Sequence, residues 1–153
     1  MVSELFALGA PTRPILALPM VLYNLLVFAF GAGVWASARG QRTRVLTAAA
    51  LLGYGACSSV GFLLAPMELR IVGISEQTLL HIWDTVLQGI FIALAMVFGA
   101  FVHGARFRRY SFATLAVCVV FGILASLEAA RASMRWIGLT ERVNIYAWMI
   151  WLA

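Results

Sequence analysis

Runs of about twenty apolar residues, separated by short charged segments, recur along the whole chain. A run of this length spans the hydrocarbon core of a bilayer as one α-helix. Hydrophobic residues make up 63% of the chain and charged residues 11%, whereas a soluble domain is about half apolar and about a quarter charged. The pattern therefore excludes a soluble single domain and predicts an all-α, polytopic transmembrane helix bundle.

The runs predict a single transmembrane domain, 1–153, with about five spans. The approximate spans are 15–38, 45–65, 78–102, 110–130 and 142–153. The last has about twelve residues, or roughly 18 Å of helix against a core of about 30 Å, so we expect it to be incomplete. Ser75 and Thr140 each precede a glutamate and an apolar run, and are the expected N-caps of the third and fifth helices.

Small side chains recur every four residues in the second and fourth spans, which places them on one face of each helix. The two ridges are Ala49, Gly53, Cys57, Gly61 and Ala65 in the second span, and Thr114, Cys118, Gly122, Ser126 and Ala130 in the fourth. Within lipid, such ridges allow two helix backbones to approach closely. We therefore interpret Gly53, Cys57, Gly61, Cys118, Gly122 and Ser126 as helix-packing residues.

All 11 basic residues are arginines, and most lie between the spans. The 39–44 and 106–109 loops each contain three arginines and no acidic residue, whereas the 67–77 loop contains one arginine and two glutamates. The positive-inside rule then places both basic loops in the cytoplasm of a protein of the inner (plasma) membrane. Because the arginines set topology, the net charge of +5 does not indicate nucleic-acid binding.

A polar face opens the third span. His81, Asp84 and Gln88 are three and four residues apart, so they share one side of the helix. The predicted topology places them in the outer half of the membrane, together with other polar groups of the bundle. Ionisable groups inside a span are rare and need partners. The candidate polar site therefore comprises His81, Asp84, Gln88, Glu128, Arg131, Arg142 and Asn24.

Three interpretations of this site remain open. In the first, Asp84 and Glu128 pair with basic side chains, and the network only holds helices together. The basic partners would be His81, Arg131 or Arg142. In the second, a transporter or lipid-interacting protein binds an ion, a proton, a small molecule or a lipid headgroup, with His81 and Asp84 as the titrating centre. In the third, the same pair serves an intramembrane metal-dependent hydrolase.

The hydrolase interpretation lacks support from the remaining residues. A catalytic zinc needs about three protein ligands, and the second histidine, His103, falls at the opposite face of the membrane. Ser58 and Ser59 lack a nucleophile-elbow motif. We therefore assign no catalytic residue, metal or cofactor. The expected partners are membrane lipid and a small molecule or lipid headgroup, and a homo-oligomer remains open.

Several segments also carry a resemblance to a known family. They are residues 3–5 with 9–12, then 62–67, 78–84, 106–111 and 136–148. In these segments the chain resembles the DUF998 family of bacterial and archaeal multi-pass membrane proteins. The resemblance implies about six or more spans, with a helix before Ser3 and a longer last helix, so we expect truncation at both ends. It implies no activity, because the function of the family is unknown.

Overall fold

The computed structural model describes residues 2–68, 75–130 and 135–153. They form a short 3-10 helix, Ser3–Phe6, and five α-helices, with no β-strand in the described ranges. The helices are α1 (Arg13–Ala36), α2 (Arg42–Leu64), α3 (Glu76–Gly99), α4 (Ala105–Ala130) and α5 (Ile137–Leu152). The predicted all-α class is confirmed.

Helices α1 to α4 are long enough and apolar enough to cross a membrane. Each of α1 and α3 has 24 residues, which is about 36 Å of helix against a hydrocarbon core of about 30 Å. Large apolar side chains point away from the bundle along these helices; Leu26 is 69% exposed, and Leu63 and Trp83 are each 68% exposed. Such surfaces are stable against lipid, and the chain is a multi-pass membrane protein.

The fifth helix begins earlier than expected. It starts at Ile137, so its 16 residues extend over about 24 Å. The N-cap prediction for Thr140 was wrong, because this residue lies inside the first turn and its Oγ1 donates to Ile137 O at 2.9 Å. Burial of Ile137, which is 4% exposed, holds that turn in place. The other cap is confirmed: Ser75 Oγ accepts from Thr78 N at 3.0 Å.

Helix α2 lies between α1 and α3, and α5 packs along α4. Two tryptophans of α5 join these groups. Trp148 Nε1 donates to Tyr23 Oη of α1 at 3.1 Å. Trp151 packs on Gly99 at the end of α3, where an added Cβ would lie 2.8 Å from the indole ring. The core of the bundle is therefore built around α2 and the indole rings of α5.

The two ends of the bundle carry different segments. At the first, which we term the polar end, the N-terminal residues 2–12 meet residues 65–68 and the start of α5. Leu8 N donates to Met67 O at 2.8 Å, and Ser3 Oγ donates to Glu141 Oε1 at 3.0 Å. At the second, which we term the arginine end, residues 37–41 and 100–104 connect α1 to α2 and α3 to α4.

Candidate functional site

The polar face of α3 packs against α2 near the polar end. His81, Asp84 and Gln88 are half-buried, whereas their neighbours Ile82 and Trp83 are exposed. Because α3 starts at its Ser75 cap, all three polar residues fall in its first four turns. The three residues that the spacing placed on one face therefore lie together against α2.

Asp84 contacts α2 at Gly61. A Cβ built on Gly61 would lie 2.6 Å from Asp84 Cγ, so the small residue leaves the space that the carboxylate occupies. One turn along α3, Gln88 Nε2 donates to Asp84 Oδ2 at 2.6 Å. An ionised carboxylate can accept about four hydrogen bonds. Among the described residues, Asp84 therefore keeps unused acceptor capacity.

His81 and Gln77 cap the carboxyl end of α2. The last carbonyl groups of a helix lack partners within it, and Pro66 prevents α2 from continuing. His81 Nδ1 lies 2.9 Å from Ala65 O, and Gln77 Nε2 donates to Leu64 O and Pro66 O, each at 3.1 Å. A carbonyl oxygen only accepts, so Nδ1 carries the hydrogen and the neutral ring would offer Nε2 as an acceptor.

A cavity of about 110 Å³ lies beside this polar face. Asp84, Gln88 and His81 of α3 line one side, and Ser58 and Gly61 of α2 line another. Ser58 is 1% exposed, and its Oγ makes no well-formed hydrogen bond within the described residues. Most of the other described lining residues are apolar, and Asp84 is the single carboxylate among the described residues of this small space.

The N-terminal segment covers this cavity at the polar end. Ser3 and Phe6 belong to its lining. The Glu141 side chain of α5 anchors the segment, because it accepts from Val2 N and from Ser3 Oγ. Arg13 holds the other side, donating to Phe6 O at 2.9 Å and to Phe62 O at 3.1 Å. These contacts join chain segments up to 139 residues apart, and no local pattern indicates them.

The other predicted site residues that the structure describes do not line this cavity. Arg142 Nη1 donates to Gly138 O of its own helix, and it forms no ion pair with Asp84. Glu128 Oε2 is buried without a hydrogen bond to the described residues. Asn24 is 6% exposed and lies on α1, and its Oδ1 also has no partner in the described ranges. Arg131 falls outside the described residues.

A family model for a protein of unknown function, DUF998, matches residues 1–153. This chain belongs to the DUF998 family. Comparisons with curated proteins and with solved structures find no match.

This DUF998 chain carries a second polar contact between α4 and α5. Asn144 Nδ2 donates to Cys118 O at 2.7 Å, and a Cβ on Gly122 would lie 3.1 Å from the same nitrogen. Cys118 is buried here, while Cys57 on α2 is half-buried. Ser126 Oγ donates to Gly122 O within α4. Two members of the fourth-span ridge therefore contact α5.

A third polar group, which sequence reasoning missed, lies in the core. Tyr23 Oη and Tyr54 Oη are 3.0 Å apart, and Trp148 Nε1 donates to Tyr23 Oη. The three residues belong to three different helices, and an apolar helix sequence does not show which faces meet. Within the described ranges, no group of three or more His, Cys, Asp or Glu side chains is placed to hold a metal ion.

Proposed function

We propose that this membrane protein binds a small monovalent cation or a proton at Asp84, in the cavity of the polar end. The observation that carries the proposal is that Asp84 is the single carboxylate among the described residues lining a small, mostly apolar cavity within a membrane-spanning bundle. Asp84 binds the ion, as in the transporter-type interpretation, and His81 lies beside it in a supporting position.

The charge of the cavity wall supports a positive ligand. Among the described residues that line the cavity there is no arginine, and His81 is the lone basic side chain. Its Nδ1 is directed to Ala65 O and not to the Asp84 carboxylate. A carboxylate withdrawn from water is unfavourable unless it is neutralised. A bound cation or proton would supply that neutralisation at Asp84.

The size of the cavity supports a small ligand. Pockets for drug-sized molecules measure about 300–1,000 Å³, well above the 110 Å³ of this cavity. Four of the described lining side chains bear oxygen, the ligand atom that hard cations prefer: Asp84, Gln88, Ser58 and Ser3. A monovalent ion with part of its hydration shell fits both the volume and the donor set.

A purely structural role for the polar face is the second candidate. The Gln88–Asp84 hydrogen bond and the His81–Ala65 hydrogen bond favour it, because the second of these joins α3 to α2. Under this role, neutralising Asp84 would weaken the helix pair in every buffer. Under the ion-binding role, it would remove a response to cations or pH.

The orientation in the membrane is part of the proposal. The positive-inside rule favours a cytoplasmic arginine end, with both basic loops, 39–44 and 106–109, on that side. The polar end and its cavity would then face the outside of the inner membrane. A ligand would enter from that side, past the N-terminal segment that carries Ser3 and Phe6.

The test measures thermal unfolding of the purified chain in detergent at constant ionic strength. Bulky N-methylglucamine is replaced stepwise by lithium, sodium or potassium at several values between pH 5 and pH 8. A ligand that binds only the folded state raises its stability with concentration. We expect the melting temperature to depend on one small cation or on pH, and Asp84→Asn to abolish that dependence.

Glu76→Gln is the matched control, because Glu76 is an exposed acid on the same helix and outside the cavity. It should retain the response of the unmodified chain. Two results would overturn the proposal: a melting temperature that ignores both cations and pH, or a response that survives in Asp84→Asn. A uniform loss of stability in Asp84→Asn, equal in every buffer, would establish the structural role instead.

A further inference from the structure

The charges of this protein are segregated between its two ends. The arginine end carries six arginines: Arg39, Arg42, Arg44, Arg106, Arg108 and Arg109. By chain position, all six carboxylates belong to the other half of the bundle, together with the remaining five arginines. Five of the six arginines at the arginine end are exposed, and Arg44 is half-buried. This end therefore has a strong positive potential that no acidic side chain offsets.

The amino ends of α2 and α4 add positive potential beside their own first turns. Both α2 and α4 begin at the arginine end, and neither has an acidic residue in its first turn. The amino end of a helix carries a partial positive charge that normally favours acids. Here α2 has Arg42 as its first residue, and α4 has Arg106 as its second. An anion from outside the chain would offset the positive charge of this end.

A depression of about 430 Å³ at this end combines charge with an apolar wall. Gly40 and Arg42 line its polar side, and Val45 and Leu46 line its apolar side. Leu46 is 43% exposed. Because α2 is a spanning helix, Leu46 lies about one turn farther into the membrane than Arg42. The depression therefore runs from headgroup depth into acyl-chain depth.

We propose that the arginine end binds an anionic phospholipid, with its phosphate at Arg42 and an acyl chain along Val45 and Leu46. The guanidinium group suits a phosphate because it donates two parallel hydrogen bonds. The apolar wall distinguishes a lipid from a soluble anion, which has nothing to place against Leu46. This site is independent of the Asp84 cavity, which lies at the opposite end.

The experiment uses the full chain, purified in a neutral detergent and examined by native mass spectrometry. It is titrated with phosphatidylglycerol, with phosphatidylcholine of the same acyl chains, and with inorganic phosphate. We expect phosphatidylglycerol to be retained at least ten-fold more than phosphatidylcholine. A juxtamembrane arginine strengthens binding to anionic lipid by about 1 kcal/mol, or roughly five-fold, so R42Q should weaken retention of phosphatidylglycerol about five-fold.

The matched control is R135Q, which removes the same charge from an exposed arginine of the polar end. It should leave retention within two-fold of the unmodified chain. A further variant, L46N, should weaken the lipid without changing charge. Equal retention of the two lipids, equal effects of R42Q and R135Q, or displacement of phosphatidylglycerol by millimolar phosphate would each overturn the proposal. Because R42Q and L46N alter an exposed surface, melting curves check that both variants remain folded.

Discussion

Two helix pairs, α2 with α3 and α4 with α5, pack in the same way but differ in the polar group at the contact, which is a carboxylate in the first pair and an amide in the second. In each pair a glycine of a small-residue ridge receives a polar side chain from the facing helix. Gly61 receives the carboxylate of Asp84, and Gly122 receives the amide of Asn144. The arrangement is the one that lets helices approach closely in lipid.

The difference lies in how each polar group is satisfied. Asn144 donates across the interface to Cys118 O at 2.7 Å, and Cys118 Sγ in turn contacts Asn144 O at 3.8 Å. Asp84 instead accepts from Gln88 of its own helix and borders a cavity. An amide can complete its bonds with a backbone carbonyl, whereas an ionised carboxylate only accepts. The α4–α5 contact is thus closed, whereas the α2–α3 contact leaves Asp84 with unused acceptor capacity among the described residues.

The largest expected effect comes from filling the space at Gly61. Gly61→Ala would push a methyl group into the Asp84 carboxylate, and overpacking of this kind destabilises by about 1–3 kcal/mol. Unfolding in a detergent–denaturant series measures the change. Gly89→Ala is the control, because a Cβ there meets no packed neighbour within 4 Å beyond the adjacent residues and backbone of its own helix, and alanine favours a helix by up to about 1 kcal/mol. Equal effects at both glycines would contradict the close contact.

Removing the closed contact should be the next largest effect. Asn144→Leu deletes the donor to Cys118 O and leaves that carbonyl with one hydrogen bond fewer. Interhelical hydrogen bonds in membranes contribute about 0.6–2 kcal/mol, so we expect a loss in that range. The loss should be the same at every cation concentration and pH. If the stability lost in Asn144→Leu depended on cation concentration, the two helix pairs would be coupled, and the α4–α5 contact would not be independent of the α2–α3 contact.

Neutralising Asp84 at the α2–α3 contact should act in the opposite direction. Asp84→Asn keeps an oxygen that can accept from Gln88 but removes an unneutralised charge. In a buffer without small cations at pH 8, we expect the free energy of unfolding to rise by about 1 kcal/mol. Chemical unfolding under those conditions measures it. A fall of similar size would identify Asp84 as a structural partner of α2, like Asn144 in α4–α5.

The smallest expected effect belongs to Gln88. Gln88→Leu removes a hydrogen bond within α3, so the free energy of unfolding should fall by only about 0.6 kcal/mol. Gln88→Leu should also weaken the dependence of the melting temperature on cation concentration, since the amide borders the cavity. Thr85→Val is the control, because Thr85 bonds to His81 O on the exposed side of the same helix. Unchanged cation affinity in Gln88→Leu would exclude the amide from the site.

Much of the fold follows from local patterns. The apolar runs predict the helices, and Ser75 predicts the start of α3, because its cap depends only on the adjacent turn. The start of α5 is different. Threonine is a residue type favoured at helix N-caps, but burial of Ile137 makes α5 begin three residues before Thr140. Tertiary packing overrides local preference at that position.

The candidate site also has one part that the sequence predicts and one part that depends on packing between helices. The spacing of His81, Asp84 and Gln88 predicts their common face, because the period of an α-helix is known. Their partners on α2 are not predictable in this way: Gly61 and Ala65 belong to a ridge that could have faced any helix. Arg131, which was also predicted to belong to the polar network, lies outside the described residues. Arg142 donates a hydrogen bond to Gly138 O within α5.

By itself, the sequence determined the class of this protein, its helices and the separation of its charges, because each depends on composition and on the period of a single helix. Only the tertiary structure decided that Asp84 meets Gly61 beside a cavity, while Asn144 meets Gly122 in a closed contact. Lipid-facing and helix-facing apolar surfaces have the same composition. Which small-residue ridge meets which polar face therefore depends on packing between helices, and no single helix carries that information.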